Sequence, residues 1–505
     1  MMSVRSSGIL LHPTCLPGPY GIGDLGPDAY RFADLLAAMG QQYWQILPVN
    51  VTDSHHGHSP YHSLSAFAGD PLWISPRLLV EAGWLKGTDL EGVPDFPTGR
   101  VEFAQARAFK VPLLEKAFTR FKAGREKAAV VRFSDERPWL SDFVLFRVLT
   151  QHHGRPWSTW PRSLRDRNPD ALSTAKRRFV EEVWRETFFQ YLFFQQWTAL
   201  KRYCNRRKVQ LIGDMPIYLP FHSTDVWGNP HLYKLSGDRS PLAVSGVPPD
   251  YFSRTGQLWG HPVYDWEALS ETGFHWWIRR TEHNLNLFDQ IRIDHFRGWV
   301  ACWEVPGDAN DAVEGRWVPV PGERLLETLF RRFGSLPFIA EDLGTITADV
   351  REMMARFDLP GMRVLQFAFG DDFPNSAFLP HNHVPHCVVY TGTHDNNTVR
   401  GWYRTEAGDQ ERDNFCQYLG RKPHVQEVHW EMIRLTMASV ADTAIIPLQD
   451  LLGLDDRARM NNPAGQENNW QWRVPHPIMS IESARRLREM TWAYGRFPVQ
   501  GFEVK

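Results

Sequence analysis

Long apolar runs are missing from this sequence, and so is any excess of charge of one sign. No window approaches the roughly 18 apolar residues of a membrane-spanning helix. The opening MMSVRSSGILLHPT holds too short an apolar stretch for the core of a secretion signal. Lys plus Arg number 56 and Asp plus Glu 58, a net charge of −2. That balance gives no electrostatic pull toward nucleic acid or an anionic membrane surface. Cysteine is scarce: Cys15, Cys204, Cys302, Cys387 and Cys416 are scattered, odd in number and free of CxxC spacing. A structural zinc site and a disulfide framework are both disfavoured, and the reduced cytoplasm is the expected compartment. Internal repeats and low-complexity tracts are absent as well.

Aromatic side chains, by contrast, are abundant, with 21 Trp, 31 Phe and 14 Tyr. The excess fits either a large core or a carbohydrate site, since pyranose rings pack their C–H faces on indole and phenol rings. A chain of 505 residues is long enough for a large core and more than one compact unit.

Eight strand-length runs recur along the chain. They begin at Gly8, Tyr43, Val209, Phe288, Leu336, Gly361, Cys387 and Thr443. Helical patterns separate most of them: Pro27 to Met39, Glu323 to Phe333, Thr347 to Phe357, His429 to Val440, and Ser480 to Trp492 after the eighth. This βα series predicts an α/β fold, a (β/α)8 TIM barrel forming one catalytic unit over residues 1–505. Two intervals exceed one crossover helix. Residues 51–208, after strand two, read as a mainly α-helical insertion, with Thr174 to Lys208 its most helical stretch. Residues 215–273, after strand three, are rich in Pro, Gly and aromatics and read as long βα loops walling the active face. No separate carbohydrate-binding module is expected.

Three of the runs lead to carboxylates. Asp294 closes Phe288-Asp-Gln-Ile-Arg-Ile-Asp, Glu341 closes Leu336-Pro-Phe-Ile-Ala-Glu, and Asp395 follows Val388-Val-Tyr-Thr-Gly-Thr-His. Barrel strands converge at their C-termini, where the chemistry sits, so three acids there suggest an enzyme of glycosidic bonds. Retaining chemistry needs two carboxyl groups about 5 Å apart, one ionised and one protonated. Strand alternation puts Arg292 on the side of Asp294, where its charge holds a carboxylate ionised. Glu341 follows Phe338, Ile339 and Ala340; an apolar surround and neighbouring carboxylates raise the pKa of an acid catalyst. The competing reading of these acids is strand-end salt bridges.

The segments Ile291–Gly298 (IRIDHFRG), Ile339–Gly344 (IAEDLG) and Thr391–Asn396 (TGTHDN) resemble the catalytic motifs of the amylomaltases, the 4-α-glucanotransferases of glycoside hydrolase family 77 in the α-amylase superfamily. His12–Gly26, Tyr43–Val49, Ser59–Pro71, Gly213–Tyr218, Gly246–Gly260 and Leu359–Phe369 resemble it too, in the family's order. The resemblance implies Asp294 as nucleophile, Glu341 as general acid/base and Asp395 as transition-state stabiliser. It implies that Tyr61 stacks on the sugar before the cleaved bond, that Asp214, Arg292 and His394 surround that sugar, and that Ser59, Gln257, Trp259 and Asp371 line neighbouring subsites. The stretch Pro248 to Ser253 corresponds to a family loop that arches over the cleft. One departure stands out: where the family has Met-Asn-x-Pro-Gly, Ala464 follows Pro463 and Gly465 comes one position late.

The expected activity is transfer from an α-1,4-glucan donor to a glucan or glucose acceptor, with no metal, no organic cofactor, no nucleic acid and no membrane, in a monomer or weak homodimer. A hydrolase of the α-amylase kind is the alternative, and a non-catalytic glucan-binding protein a remoter one. Three other features carry less. His55, His56, His58 and His62 share a loop, as do His381, His383 and His386, but no Cys or carboxylate pair is spaced to complete a metal site with the first group, which reads as a solvated or substrate-facing loop, and Asn375 and Asn382 beside the second suit sugar hydroxyls better. Gly21-Ile-Gly-Asp-Leu-Gly has dinucleotide-loop spacing but follows Pro17 and Pro19 rather than a strand. The basic stretch Arg202 to Lys208 reads as a solvated helix end.

Overall fold

The apolar runs become short parallel strands that stop where the charged residues begin. A computed structural model describes residues 5–124, 127–249, 254–465 and 468–498. Among them are twelve strands in two sheets. Eight form the parallel sheet: β1 (Ser6–Leu10), β2 (Tyr43–Gln45), β3 (Gln210–Met215), β6 (Gln290–Ile293), β9 (Phe338–Ala340), β10 (Gly361–Val364), β11 (Cys387–Tyr390) and β12 (Thr443–Pro447). Their order, β10-β11-β12-β1-β2-β3-β6-β9, is the chain order wrapped into a ring. Every ladder in it is parallel. Helices Pro27–Ala38, His275–Leu287, Gly322–Phe333, Ala348–Arg356, Val428–Ala438 and Ile481–Ala493 lie between or after the strands, completing a nearly closed (β/α)8 barrel. The Gly322–Phe333 helix shows why they form: Leu325, Leu326 and Leu329 fall on one face and are buried, while arginines end the last turn.

The ring lacks one ladder, between β9 and β10. Side chains and one backbone bond span that seam. The Ala340 N–H donates to the Pro360 carbonyl at 2.9 Å. The Asp342 carboxylate accepts from the Met362 N–H at 2.6 Å and from Arg363 at 3.0 Å. A Cβ on Gly361 would come within 2.6 Å of the Asp342 oxygen, so that carboxylate can lie on the strand only because the residue opposite is glycine.

Between β2 and β3 the chain runs through helices Pro76–Glu81, Phe103–Ala123, Lys127–Asp135, Pro138–His153, Pro169–Arg178 and Val180–Arg206. The last of these buries Phe188, Leu192, Phe193, Trp197, Leu200 and Cys204. Its Trp197 ring meets Phe288, just ahead of β6, edge to face at 5.8 Å. Helical insertion and barrel therefore share one continuous apolar core. The helical pattern from Thr174 to Lys208 breaks at Phe179, where one helix ends and the next starts.

The region read as loop-rich, residues 215–273, is not all loop. It contains β4 (Ala243–Val247) and β5 (Gln257–Pro262), which join β7 (Ala301–Pro306) and β8 (Arg316–Pro319) in an antiparallel sheet of order β5-β4-β7-β8. Val244, Val305 and Ala312 form its own small core. Short runs broken by Gly and Pro hid these strands, and β4 pairs with β7 only across a long stretch of sequence. Asp250 to Ser253, most of the stretch expected to arch over the cleft, lie outside the described residues.

The aromatic excess divides the same way. Trp44, Trp157, Trp197, Trp227, Trp277 and Trp299 are fully buried. Tyr61 and Trp259 stay partly open and lie at the strand C-termini. At the opposite end of the barrel, buried Arg496 donates to the carbonyls of Ser6, Met437, Ser439, Ala441 and Asp442 at 2.8 to 3.2 Å. No helix of the described residues is long and apolar enough to cross a membrane.

Candidate active site

Arg292 organises the site. It lies on β6 opposite Asp214 of β3. Its Nη1 donates to both oxygens of Asp214, at 2.9 and 2.7 Å, and to Oδ1 of Asp294 at 2.9 Å. Its Nη2 lies 4.0 Å from Oε2 of Glu341. The two distances of 2.9 and 4.0 Å, with the roughly 2.3 Å between guanidinium nitrogens, hold the facing oxygens of Asp294 and Glu341 within about 9 Å of each other. Both carboxyl groups can thus flank one sugar ring. Burial opposes the charge of Arg292, but the carboxylates around it more than compensate and keep it protonated.

The turn after β6 brings in Glu341. His295 takes a left-handed conformation, φ 50°, directly after Asp294. That turn aims the His295 N–H at Oε2 of Glu341, 2.7 Å away, while the Leu343 N–H donates to Oε1 at 2.9 Å. The Glu341 side chain is only 12% exposed. Burial pushes its carboxyl up to about 7, against Arg292, with Asp294 adding to the rise. Burial also pushes Asp214 up to about 7. Asp214, however, receives two bonds from Arg292 and one from the Tyr61 hydroxyl at 2.8 Å, all of which favour its charged form. Glu341 has no such bond from a cation and lies farthest from the guanidinium, so of the two raised carboxyls it is the better placed to hold a proton.

Asp395 stands on the loop after β11. Asn461 Nδ2 donates to its Oδ1 at 2.6 Å, and His394 Nε2 lies 3.4 Å from the same oxygen. Burial holds His394 below its ordinary pKa, so this contact is that of a neutral imidazole. Asp395 is 44% exposed against 28% for Asp294, which makes it the more open of the two to a ligand. The Tyr61 ring stacks on His394 at 5.2 Å and 14°. Ser59, buried, takes the Tyr61 N–H at 3.3 Å and shapes that turn.

The other expected binding residues are farther out. Trp259 on β5 meets His295 edge to face at 4.7 Å and donates to Gln257, also on β5, at 3.3 Å. Asp371 is exposed on the loop after β10, outside the hydrogen-bonded cluster. Of the histidine groups, His381, His383 and His386 bond Tyr418, Ser439 and the Asp358 carbonyl, respectively. His62 packs against His56 and His261, each at 4.6 Å. Among the described residues no group of three His, Cys, Asp or Glu side chains is arranged to hold a metal ion.

Three residues the sequence did not single out complete the surroundings. Asn461 bonds Asp395 as above. Arg459 donates to the Asp395 carbonyl at 2.7 Å and to Glu406 at 2.8 Å. Trp470 tilts against Tyr61 at 5.8 Å. All three lie in or beside the stretch from Met460 to Arg473, whose Met-Asn-x-Pro opening was the available signal. Ala464 sits exposed on the same loop, and its N–H bonds Asn462 at 3.3 Å, while Asn461 still reaches Asp395.

Known proteins share this arrangement of chain. The sequence model of a family described as 4-alpha-glucanotransferase matches residues 11–479. A 4-alpha-glucanotransferase of Thermus thermophilus is 47% identical over 503 residues, covering 97% of this chain and 99% of that protein. Another, from Aquifex aeolicus, is 44% identical over 493 residues, covering 98% and 100%. Among solved structures, the amylomaltase from Streptococcus agalactiae in complex with acarbose superposes with a TM-score of 0.94 at 37% identity, covering 98% of this chain and all of that one.

Proposed function

The chain belongs to glycoside hydrolase family 77, the 4-alpha-glucanotransferases, and on that premise we propose how its residues carry out the transfer. The substrates are an α-1,4-glucan donor and a second glucan or glucose as acceptor. A carboxylate oxygen of Asp294 forms a bond to C1 of the donor, and the C1–O4 bond breaks. Glu341 gives its proton to the departing oxygen. The 4-hydroxyl of the acceptor then attacks C1, Glu341 takes that hydroxyl proton, and Asp294 leaves as a carboxylate. Two displacements at one carbon retain the α-configuration. Asp395 and His394 contact the hydroxyls of the reacting sugar, and Tyr61 stacks on it. Ser59, Gln257, Trp259 and Asp371 lie along the chain of sugars on either side. Five unpaired cysteines, four of them buried, support a reduced, cytoplasmic setting.

The observation that supports this reading best is the single guanidinium shared by Asp214 and Asp294 with Glu341 just beyond it, because it sets one acid against the cation and a second beyond it within reach of one ring. The test is incubation of the purified protein with maltotriose. Glucose plus longer maltooligosaccharides are expected; shortened products alone, with reducing ends rising steadily, would establish a hydrolase instead.

The state of Glu341 sets a pH dependence. Its ordinary value is 4.5 and the folded protein raises it to about 7, so it keeps its proton between those values and surrenders it above them. kcat/KM for maltotriose is expected to fall as pH rises through about 7. Across the same window the folded state binds more protons than the unfolded one, so this group's contribution to stability also declines with rising pH. Glu341→Gln is expected to remove the alkaline limb and to lower turnover of glucans by about 10²–10⁴-fold, while sparing a glycosyl fluoride whose leaving group needs no proton. Equal losses on both donors would rule out the acid role.

A further inference from the structure

The loop from Thr391 to Val399 carries His394 and Asp395 at its tip, and its two ends meet at one buried side chain. Asp450, 2% exposed, sits in the helical turn Leu448–Leu451 directly after β12. One of its oxygens accepts from the Thr391 hydroxyl at 2.6 Å, and the other accepts from the Val399 N–H at 2.7 Å. Thr391 is the first residue after β11, and Val399 opens the helical turn that ends the loop. A single carboxylate therefore closes the loop at its base.

Other ties act within the loop, on its far limb, and at its tip, where Asn461 and Arg459 hold Asp395 as described above. The Thr393 N–H and hydroxyl both donate to the Asn396 side chain at 2.9 Å, and Gln366 donates to the Asn397 carbonyl at 2.9 Å. Behind the loop lies a cavity bordered by His12, Leu47, Asn396, Thr398, Gln449 and Asp450. Thr391, Asn397, Thr398 and Val399 are buried, so packing seats the ends of the loop while hydrogen bonds set its course. The partners of Asp450 are a hydroxyl and an amide, not a cation, and a carboxyl buried in that way is expensive to keep unless both of its oxygens are used. Burial accordingly pushes Asp450 up to about 6, the hydroxyl and amide pulling it back.

We propose that Asp450 is a positioning residue for transfer: by clipping Thr391 to Val399 it fixes where Asp395 meets the reacting sugar. This rests on the reading of Asp395 as a group that touches that sugar. A carboxylate displaced by about 1 Å costs roughly 10²-fold in rate even when substrate still binds. The effect should therefore fall on kcat, with KM nearly unchanged.

The experiment measures kcat and KM for maltotriose disproportionation in five variants, with the thermal midpoint of each. Asp450→Ala is expected to lower kcat about 10²-fold with KM within about threefold of the parent. Asp450→Asn keeps an acceptor for Val399 and a donor toward Thr391, and is expected to restore most of that loss. Thr391→Val cuts only one of the two ties and is expected to lower kcat about tenfold, which provides the test should the alanine variant fail to fold. In an Asp395→Asn background, Asp450→Ala is expected to add less than about threefold, since there is no longer a carboxylate to place. A kcat within about threefold of the parent in both Asp450→Ala and Thr391→Val overturns the proposal, as does an undiminished effect in the Asp395→Asn background. Near-parental activity in Asp395→Asn alone overturns the reading of Asp395 instead, so the two failures are distinguishable.

Discussion

Asp294→Asn is expected to lower kcat for maltotriose by at least about 10⁴-fold, because an amide oxygen cannot form the glycosyl ester that the first displacement requires. The change is nearly isosteric. The new side chain still offers an oxygen to Arg292 Nη1, now 2.9 Å from Asp294 Oδ1, and Arg292 keeps its two bonds to Asp214. Removing one carboxylate also lightens the crowding of negative charge that raises Glu341. The fold should therefore be untouched, with a thermal midpoint at or above that of the parent. A fluorinated glycosyl donor that deacylates slowly provides the second arm. In the parent, mass spectrometry of the digested protein is expected to find the sugar on the peptide that contains Asp294; in the variant no adduct forms. A near-parental rate, or an adduct on a different peptide, removes Asp294 from the nucleophile role.

The largest loss of stability is expected at the other end of the barrel. Arg496→Met keeps the length and apolar stem of the side chain but takes every donor away from the carbonyls of Ser6, Met437, Ser439, Ala441 and Asp442. Arg5 also serves Met437 and Ser439, and the Ser6 N–H serves Asp442, so three of these carbonyls retain a partner. The remainder become buried acceptors without donors, at about 1–3 kcal/mol each. A total of about 3 kcal/mol lowers the thermal midpoint of a chain this long by roughly 3 °C. Turnover at 25 °C should hold, since the site lies at the strand C-termini. An unchanged midpoint would mean that water or a neighbouring donor replaces the guanidinium without cost.

The contrast between those two residues explains what could be read in advance. Asp294, Glu341 and Asp395 announce themselves because each follows an apolar run, and runs of that kind also order the eight strands around the ring. Arg496 sits in no such pattern. Its partners are backbone carbonyls from both ends of the chain, and any residue type supplies a carbonyl. The same holds for Asp450, whose work is done through an amide and a hydroxyl, and in part for Asp342, which serves an amide beside Arg363. Asn461 is nearer to being legible, since it lies in the Met-Asn-x-Pro motif, though that motif stands out for its departure at Ala464 rather than for a contact with Asp395. The antiparallel sheet stayed hidden for a different reason: four short strands punctuated by Gly and Pro have no periodicity long enough to register, and their pairing is decided by contacts far apart in sequence.

The unladdered junction of β9 with β10 has a consequence for how the molecule fails. Seven joints of the cylinder are riveted by rows of amide bonds; the eighth is held by one backbone bond and by Asp342, the residue after Glu341. Heat or mild denaturant will part the wall there first, and Glu341 will lose its register before the remaining strands let go. Inactivation should thus precede melting, with Met362 among the earliest amides of the cylinder to exchange with solvent.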